Sequence, residues 1–351
     1  TKKYFNVMKL ISRLKGLVRA DLIIPKNKSQ KIYKPKKLYK FGKKNKNKTF
    51  YIIKKDFNPN GLFSNLTFVL DHINYSIKKK TIPIIDMQNY HTVYNEREKI
   101  FGTNNSWNYY FLPLNKYKLN EVYQSKKVIF STNKRISNKL VNESLELKKI
   151  LKKYIKIKPQ IIKSFKKIKL AYFQRHDPII GVHVRGTIQK IVRGHSLPPH
   201  PQDLLTECIK IFKKTGSKKI FLVTEDELYL NEFKKYFKNN LIYLNVPRSN
   251  PKFFGSHNFH FTNYSRRLHK FNLGLETLID CLLLSETKYN LFTDSNVWRI
   301  STLFAKKKQL NYQIVTEKNS NFKFVARWNW YMHFYFPIIF GKIKYVIKKI
   351  N

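Results

Sequence analysis

Three short stretches carry side chains suited to a multiply charged phosphate ligand: Gly181-Val182-His183-Val184-Arg185-Gly186-Thr187, Thr224-Glu225-Asp226 and Phe292-Thr293-Asp294-Ser295-Asn296. The first reads as an apolar strand with one polar stripe, since alternation puts His183 and Arg185 on one side and Val182 and Val184 on the other. A histidine and an arginine at a sheet centre are costly unless an anion or hydrogen-bond partners meet them. Arg185 suits a diphosphate because its planar fork binds two oxygens at once. A structural ion pair with Glu225 or Asp226 is the competing reading. Those two acids can orient His183 or Arg185, contact a ribose, or, for Asp226, cap the helix that follows. In the third stretch a helix begins after Ser295, and a helix N-terminus presents free N–H groups and a favourable dipole to phosphate. Ordinary capping by Asp294 or Ser295 would use the same residue types.

Asp280 interrupts the run Leu278-Ile279-Asp280-Cys281-Leu282-Leu283-Leu284. A carboxylate among such neighbours needs donors, and the N1–H and N2–H₂ edge of guanine offers two. Solvent or a lysine would satisfy it as well. There is no D-x-D pair for a metal-held diphosphate, no G-x-x-x-x-G-K-[ST] loop, no G-x-G-x-x-G turn, no H-E-x-x-H and no G-x-S-x-G elbow. What remains is a diphosphate site built from cationic side chains, with no metal expected.

The elements that must position these residues alternate. Thr49–Lys54 reads as a strand, Asn60-Gly61 as a turn, Leu62–Ile77 as a helix and Ile82–Met87 as a buried strand, which together make a mononucleotide-type unit. Val128–Ser131 is a further strand, with lysine-rich helical segments over Asn138–Lys169. Strands follow at Ile179–Val184, Lys219–Val223, Leu241–Val246, Tyr289–Thr293 and Tyr312–Val315. Helices are expected at Pro201–Lys214, Glu227–Lys238, Asn272–Glu286 and Asn296–Lys307. Such alternation implies parallel sheets with right-handed crossovers, and ligands then bind beyond the carboxyl ends of the strands.

With 351 residues there is room for two cores, and 42% apolar content with 27 Phe and 22 Tyr is that of a folded chain. Four segments are expected. Residues 1–48 form a basic lead-in with a short helix near Val7–Val18, 49–170 a first α/β domain, 171–320 a second, and 321–351 an aromatic and basic tail. The boundary between the two large domains should fall near 165–178. The charge, 70 Lys+Arg against 21 Asp+Glu, invites nucleic acid or anionic lipid as partners. Only 12 of the 70 are Arg, the residue preferred for bidentate phosphate and base recognition, so no specific nucleic acid is expected. The stretch Trp328–Gly341 is too short to span a membrane and is interrupted by Pro337. It reads either as a packed C-terminal segment or as a contact with an anionic membrane surface. Cytoplasmic localisation, possible at the membrane periphery, goes with that. Cys208 and Cys281 fit no metal spacing.

The ordered set His183-Val184-Arg185-Gly186-Thr187, His200-Pro201, Val223-Thr224-Glu225-Asp226, Leu278-Ile279-Asp280 with Leu284-Ser285, and Thr293-Asp294-Ser295-Asn296-Val297-Trp298-Arg299 resembles the fucosyltransferase superfamily. That group includes the nodulation and core fucosyltransferases and, more remotely, protein O-fucosyltransferases. Asn60-Gly61-Leu62-Phe63-Ser64-Asn65, Tyr94-Asn95-Glu96 and Trp107-Asn108-Tyr109-Tyr110-Phe111 look like the related bacterial enzymes. The resemblance spans about residues 49 to 305. It implies an α/β fold of the GT-B kind, two Rossmann-like domains facing a cleft, and inverting, metal-independent transfer from GDP-fucose to a glycan or surface-polysaccharide hydroxyl. In such a protein Arg185 would bind the β-phosphate, His183 and Asp280 would face guanine, and Ser295 would meet phosphate. Thr187, Glu225, Asp226, Asp294 and Asn296 complete the expected donor site. Arg185 and Glu96 are the catalytic candidates, Glu96 as the base for the acceptor proton. Two departures bear on activity: Ile188-Gln189 follow Thr187 where the family has Asp, often followed by Lys, and Arg193 stands where the core enzymes carry a catalytic Glu. A relative that binds GDP or a glycan without transfer is the first alternative, and a basic nucleic-acid or membrane-surface protein the second.

Overall fold

The computed structural model describes residues 31–137, 144–173, 178–249 and 266–350. The helix expected near Val7–Val18 lies outside them. The chain divides into two compact units, one of Ile24–Lys167 with Tyr264–Ile279, the other of Thr1–Ile23, Ile168–Asn263 and Asp280–Asn351. Both are α/β with mostly parallel sheets, as the alternation of strand and helix patterns implied.

In the first unit, strands β1 (Leu38–Tyr39), β2 (Phe50–Ile53), β3 (Ile82–Ile85) and β4 (Val128–Phe130) lie in the order β1-β4-β2-β3, with β2 parallel to both neighbours and β1 antiparallel at the edge. Phe50, Ile52, Ile84, Val122, Val128 and Phe130 form its core. Pro83 is tolerated because β3 is an edge strand with a side free of ladder bonds. The crossover helix α1 (Leu62–Lys78) turns Leu62, Leu66, Val69, Leu70 and Ile73 inward, a run at three- and four-residue spacing. The short helices α2 (Trp107–Tyr110) and α3 (Leu119–Val122) and the longer α4 (Leu145–Tyr154) and α5 (Pro159–Tyr172) follow.

The second unit holds β5 (Ile179–His183), α6 (Pro201–Thr215), β6 (Lys219–Val223), α7 (Glu227–Phe237), β7 (Leu241–Ile242), the C-terminal part of α8 (His269–Leu284), β8 (Tyr289–Phe292), α9 (Asn296–Phe304), β9 (Leu310–Thr316), α10 (Lys323–Tyr335), α11 (Pro337–Phe340) and β10 (Tyr345–Ile350). The sheet order is β10-β9-β8-β5-β6-β7. All pairings are parallel except β10 with β9. Chain order runs outward from β5 through β6 to β7 on one side and through β8 to β9 on the other. The strand order therefore reverses between β5 and β8, and the crevice beyond their carboxyl ends is the binding position of a doubly wound sheet.

β7 is shorter than the Leu241–Val246 expected from its apolar run. Arg248 takes the carbonyls of Leu244 (2.8 Å), Val246 (3.1 Å) and Thr224 (3.1 Å), so the backbone there is bonded to a guanidinium instead of a ladder. α9 stops before the lysine run 306–308, three residues short of the expected Lys307.

Candidate functional site

β5 places the first polar residues. It is buried along its length, and Gly181 is required because a Cβ there would press on Asn290, Leu284 and Thr287. His183 closes the strand, buried, and its Nδ1 lies 3.2 Å from Ser295 Oγ. Ser295 is the N-cap of α9, where its Oγ accepts from Trp298 N at 3.1 Å. The Ser295 oxygen has two lone pairs, so it can accept from Nδ1–H as well as from Trp298 N or donate its own proton to Nδ1, and the ring tautomer sets which of the two donates. The ring stays neutral across the physiological range, since burial and then the Arg185 charge push its pKa down to about 3.

Arg185 follows in extended continuity, half-buried, its N–H reaching Thr293 Oγ1 at 3.5 Å. Among the described residues its guanidinium forms no ion pair. Of the two acids considered from the sequence, Asp226 is committed elsewhere: it caps α7 through Leu228 N (3.0 Å) and pairs with Lys190 Nζ at 2.5 Å, both side chains buried, while Glu225 feels the Arg185 charge without a direct ion pair. Gly186 lies so close to Asp226 that a Cβ would collide with the carboxylate. Glu225 Oε1 accepts from Gly186 N at 3.2 Å. Burial pushes the Glu225 carboxyl up, and the Arg185 charge works against that. Thr187 Oγ1 meets Ser249 Oγ at 2.8 Å, and Ser249 also bonds the Glu225 carbonyl through N (2.8 Å) and Oγ (3.1 Å).

The structure thus brings His183 and Ser295 into contact and groups Arg185, Thr187, Glu225 and Asp226 at the carboxyl ends of β5 and β6. Asp294 is exposed and paired with Arg299, whose Nη1 also donates to Asn296 Oδ1 at 3.3 Å. Asp280 stands half-buried one turn before the end of α8. Its charge, after burial, raises the pKa of the Cys281 thiol beside it. Glu96 belongs to the other unit and makes none of these contacts. Its Oε1 accepts from Phe271 N (2.9 Å) in the first turn of α8, where a carboxylate satisfies an orphan N–H and meets the positive helix end.

Lys190 is the residue that sequence reasoning missed. Besides Asp226 it lies 4.2 Å from the Trp330 ring centroid, and Asn319 holds the segment around it through the carbonyls of Lys190 (3.4 Å), Val192 (3.2 Å) and Ala326 (3.0 Å). One lysine among 58 carried no mark of burial.

No family model and no curated protein matches the sequence. Among solved structures the chain is similar to the fucosyltransferase NodZ from Bradyrhizobium, at 16% identity over 76% of this chain and 96% of that one, with a TM-score of 0.46. It is also similar to a mutant of Arabidopsis thaliana FUT1 in complex with GDP, at 12% identity over 76% and 71%, TM-score 0.43. A third is POFUT1 in complex with GDP-fucose, at 12% identity over 75% and 73%, TM-score 0.34.

Proposed function

We propose that this chain is a GT-B-like glycosyltransferase that moves fucose from GDP-fucose to a hydroxyl of a glycan or surface-polysaccharide precursor, with inversion and without a metal. The observation that carries the reading is the His183–Ser295 contact at the β5/β8 reversal, with the guanidinium of Arg185 beside it, which forms no ion pair among the described residues. In this reading residues 171–320 hold the donor and 49–170 the acceptor side. Arg185, Ser295 and the N–H groups opening α9 stabilise the charge that grows on the β-phosphate oxygen as the bond to the anomeric carbon breaks. His183 and Asp280 meet the guanine. Thr187, Glu225, Asp226, Asp294 and Asn296 line or brace the same edge. The acceptor oxygen attacks the anomeric carbon from the opposite face and its proton passes to a carboxylate, for which Glu96 is the candidate.

A second reading, binding of GDP without transfer, is favoured by one observation: the Glu96 carboxylate is occupied by the Phe271 N–H. Purified protein should be screened with nucleotide sugars and acceptor glycans, with and without EDTA, and read by release of GDP. Acceptor-dependent release from GDP-fucose that survives the chelator supports transfer. Calorimetric GDP binding with no release selects the second reading, and absence of GDP binding removes both.

A further inference from the structure

The C-terminal tip presents apolar side chains that the fold leaves outside. Ile338 is 99% exposed, Ile339 73% and Phe340 45%, beside the exposed Tyr335. These are not frayed ends. Ile339 N and Phe340 N bond the Phe336 carbonyl at 3.1 and 3.0 Å, His333 Nδ1 bonds Gly341 O at 2.9 Å, and Ile343 just beyond is buried. Gly341, at φ 74°, ends the turn in a backbone region that an L side chain enters only under strain. The chain returns at once into β10, so the one-turn helix α11 is a fixed protrusion.

The charge around the protrusion is predominantly basic, with Glu317, whose Oε1 accepts from Lys344 N at 3.1 Å, as an acid against it. From Lys318 to Ile350 there are seven Lys or Arg and no Asp or Glu, with Lys342 and Lys344 exposed next to the apolar tip. Large apolar side chains at the apex, lysines at the rim and amphipathic aromatics behind them are the composition of an interfacial membrane contact. A partner protein's apolar pocket would accept the isoleucines but would not call for a predominantly basic rim. Among the described residues no helix is long and apolar enough to cross a bilayer. We propose that the tip built by Pro337–Phe340, with Lys342 and Lys344, docks peripherally on anionic lipid headgroups and inserts Ile338 and Ile339 at the acyl boundary. The inference is independent of the transfer reaction and asks nothing of the β5/β8 site.

The test is sedimentation of the full chain with phosphatidylcholine vesicles, with and without phosphatidylglycerol. Wild type should bind the anionic vesicles and bind the neutral ones far more weakly. Ile338→Asp with Ile339→Asp should weaken binding at least about tenfold, from lost apolar insertion. Lys342→Glu with Lys344→Glu should weaken it by roughly thirtyfold on anionic vesicles alone. All four side chains are exposed, and unchanged thermal melts establish that the variants fold. Ile338→Trp provides a direct readout, a blue shift of its emission on adding anionic vesicles. The proposal is overturned by equal binding to neutral and anionic vesicles, by wild-type binding in the isoleucine variant, or by no binding at all. Concentration-dependent self-association in the ultracentrifuge that the isoleucine variant abolishes would assign the tip to a second copy of the chain and overturn it equally.

Discussion

Arg185→Ala separates a site residue from a structural one. Among the described residues its guanidinium makes no ion pair, so at low pH, with Glu225 protonated, the folded state should lose little beyond packing of its aliphatic stem, about 0.5–1 kcal/mol, or a shift of roughly 2–3 °C in Tm. Transfer should fall much further. A fork that forms charge-assisted bonds to a leaving diphosphate contributes on the order of 3 kcal/mol where that charge grows, and 2.7 kcal/mol is about a hundredfold in turnover. Glu225 adds a pH signature. Its buried carboxyl titrates above the ordinary range, so the native state holds that proton more tightly than the unfolded chain does. Stability from this group is greatest at low pH and falls as pH rises through the folded value. Without Arg185 the folded value climbs further, so any extra loss of stability in the variant should appear near neutral pH and fade on acidification. The assay is turnover by GDP release, paired with thermal melts between pH 5 and 8. Near-wild-type turnover refutes the site assignment. A fall in Tm of more than roughly 8 °C at every pH refutes the claim that Arg185 is structurally unpaired.

Lys190→Met should cost about 3–5 kcal/mol in denaturant unfolding, because it leaves the buried Asp226 carboxylate without its counter-charge, and Asp226→Asn added to it should recover part of the loss. Asp280→Asn should weaken GDP roughly tenfold by calorimetry and leave pyrophosphate binding unchanged, since an amide mismatches the two donors of guanine; equal weakening of both ligands would place Asp280 away from the base. His183 binds a proton only at about pH 3 when folded but near 6.5 when unfolded, so it removes stability as pH falls from 6.5 toward 3, at up to about 1.4 kcal/mol per pH unit. His183→Asn should flatten that slope, measured by denaturant midpoints against pH; an unchanged slope would mean the titration belongs to other groups.

What the sequence made legible was local. Apolar runs bounded by turns located β2, β5, β6 and β8 to within a residue or two, and periodicity located α1, α6 and α7, because burial on one face leaves its period in the chain. Strand order left no such trace, since pairing joins residues about a hundred positions apart: Val182 is opposite Leu291. Hence the reversal between β5 and β8, the feature that makes His183 and Ser295 neighbours, emerged only from the structure. Composition hid the rest. Asp226 was open to capping or to the site, and its second bond, to Lys190, could not be picked out of so many lysines. The C-terminal stretch shows the same limit from another side. Its aromatic run was open to packing or to a membrane surface, and the two readings fall on different residues. Trp330 is buried, with its indole N–H on the Pro198 carbonyl at 2.9 Å, while Ile338, eight residues on, is almost wholly outside. Hydrophobicity alone does not distinguish them. What does is the turn at Pro337 and Gly341, which carries the chain out of the core and back while its apolar side chains are still at the surface.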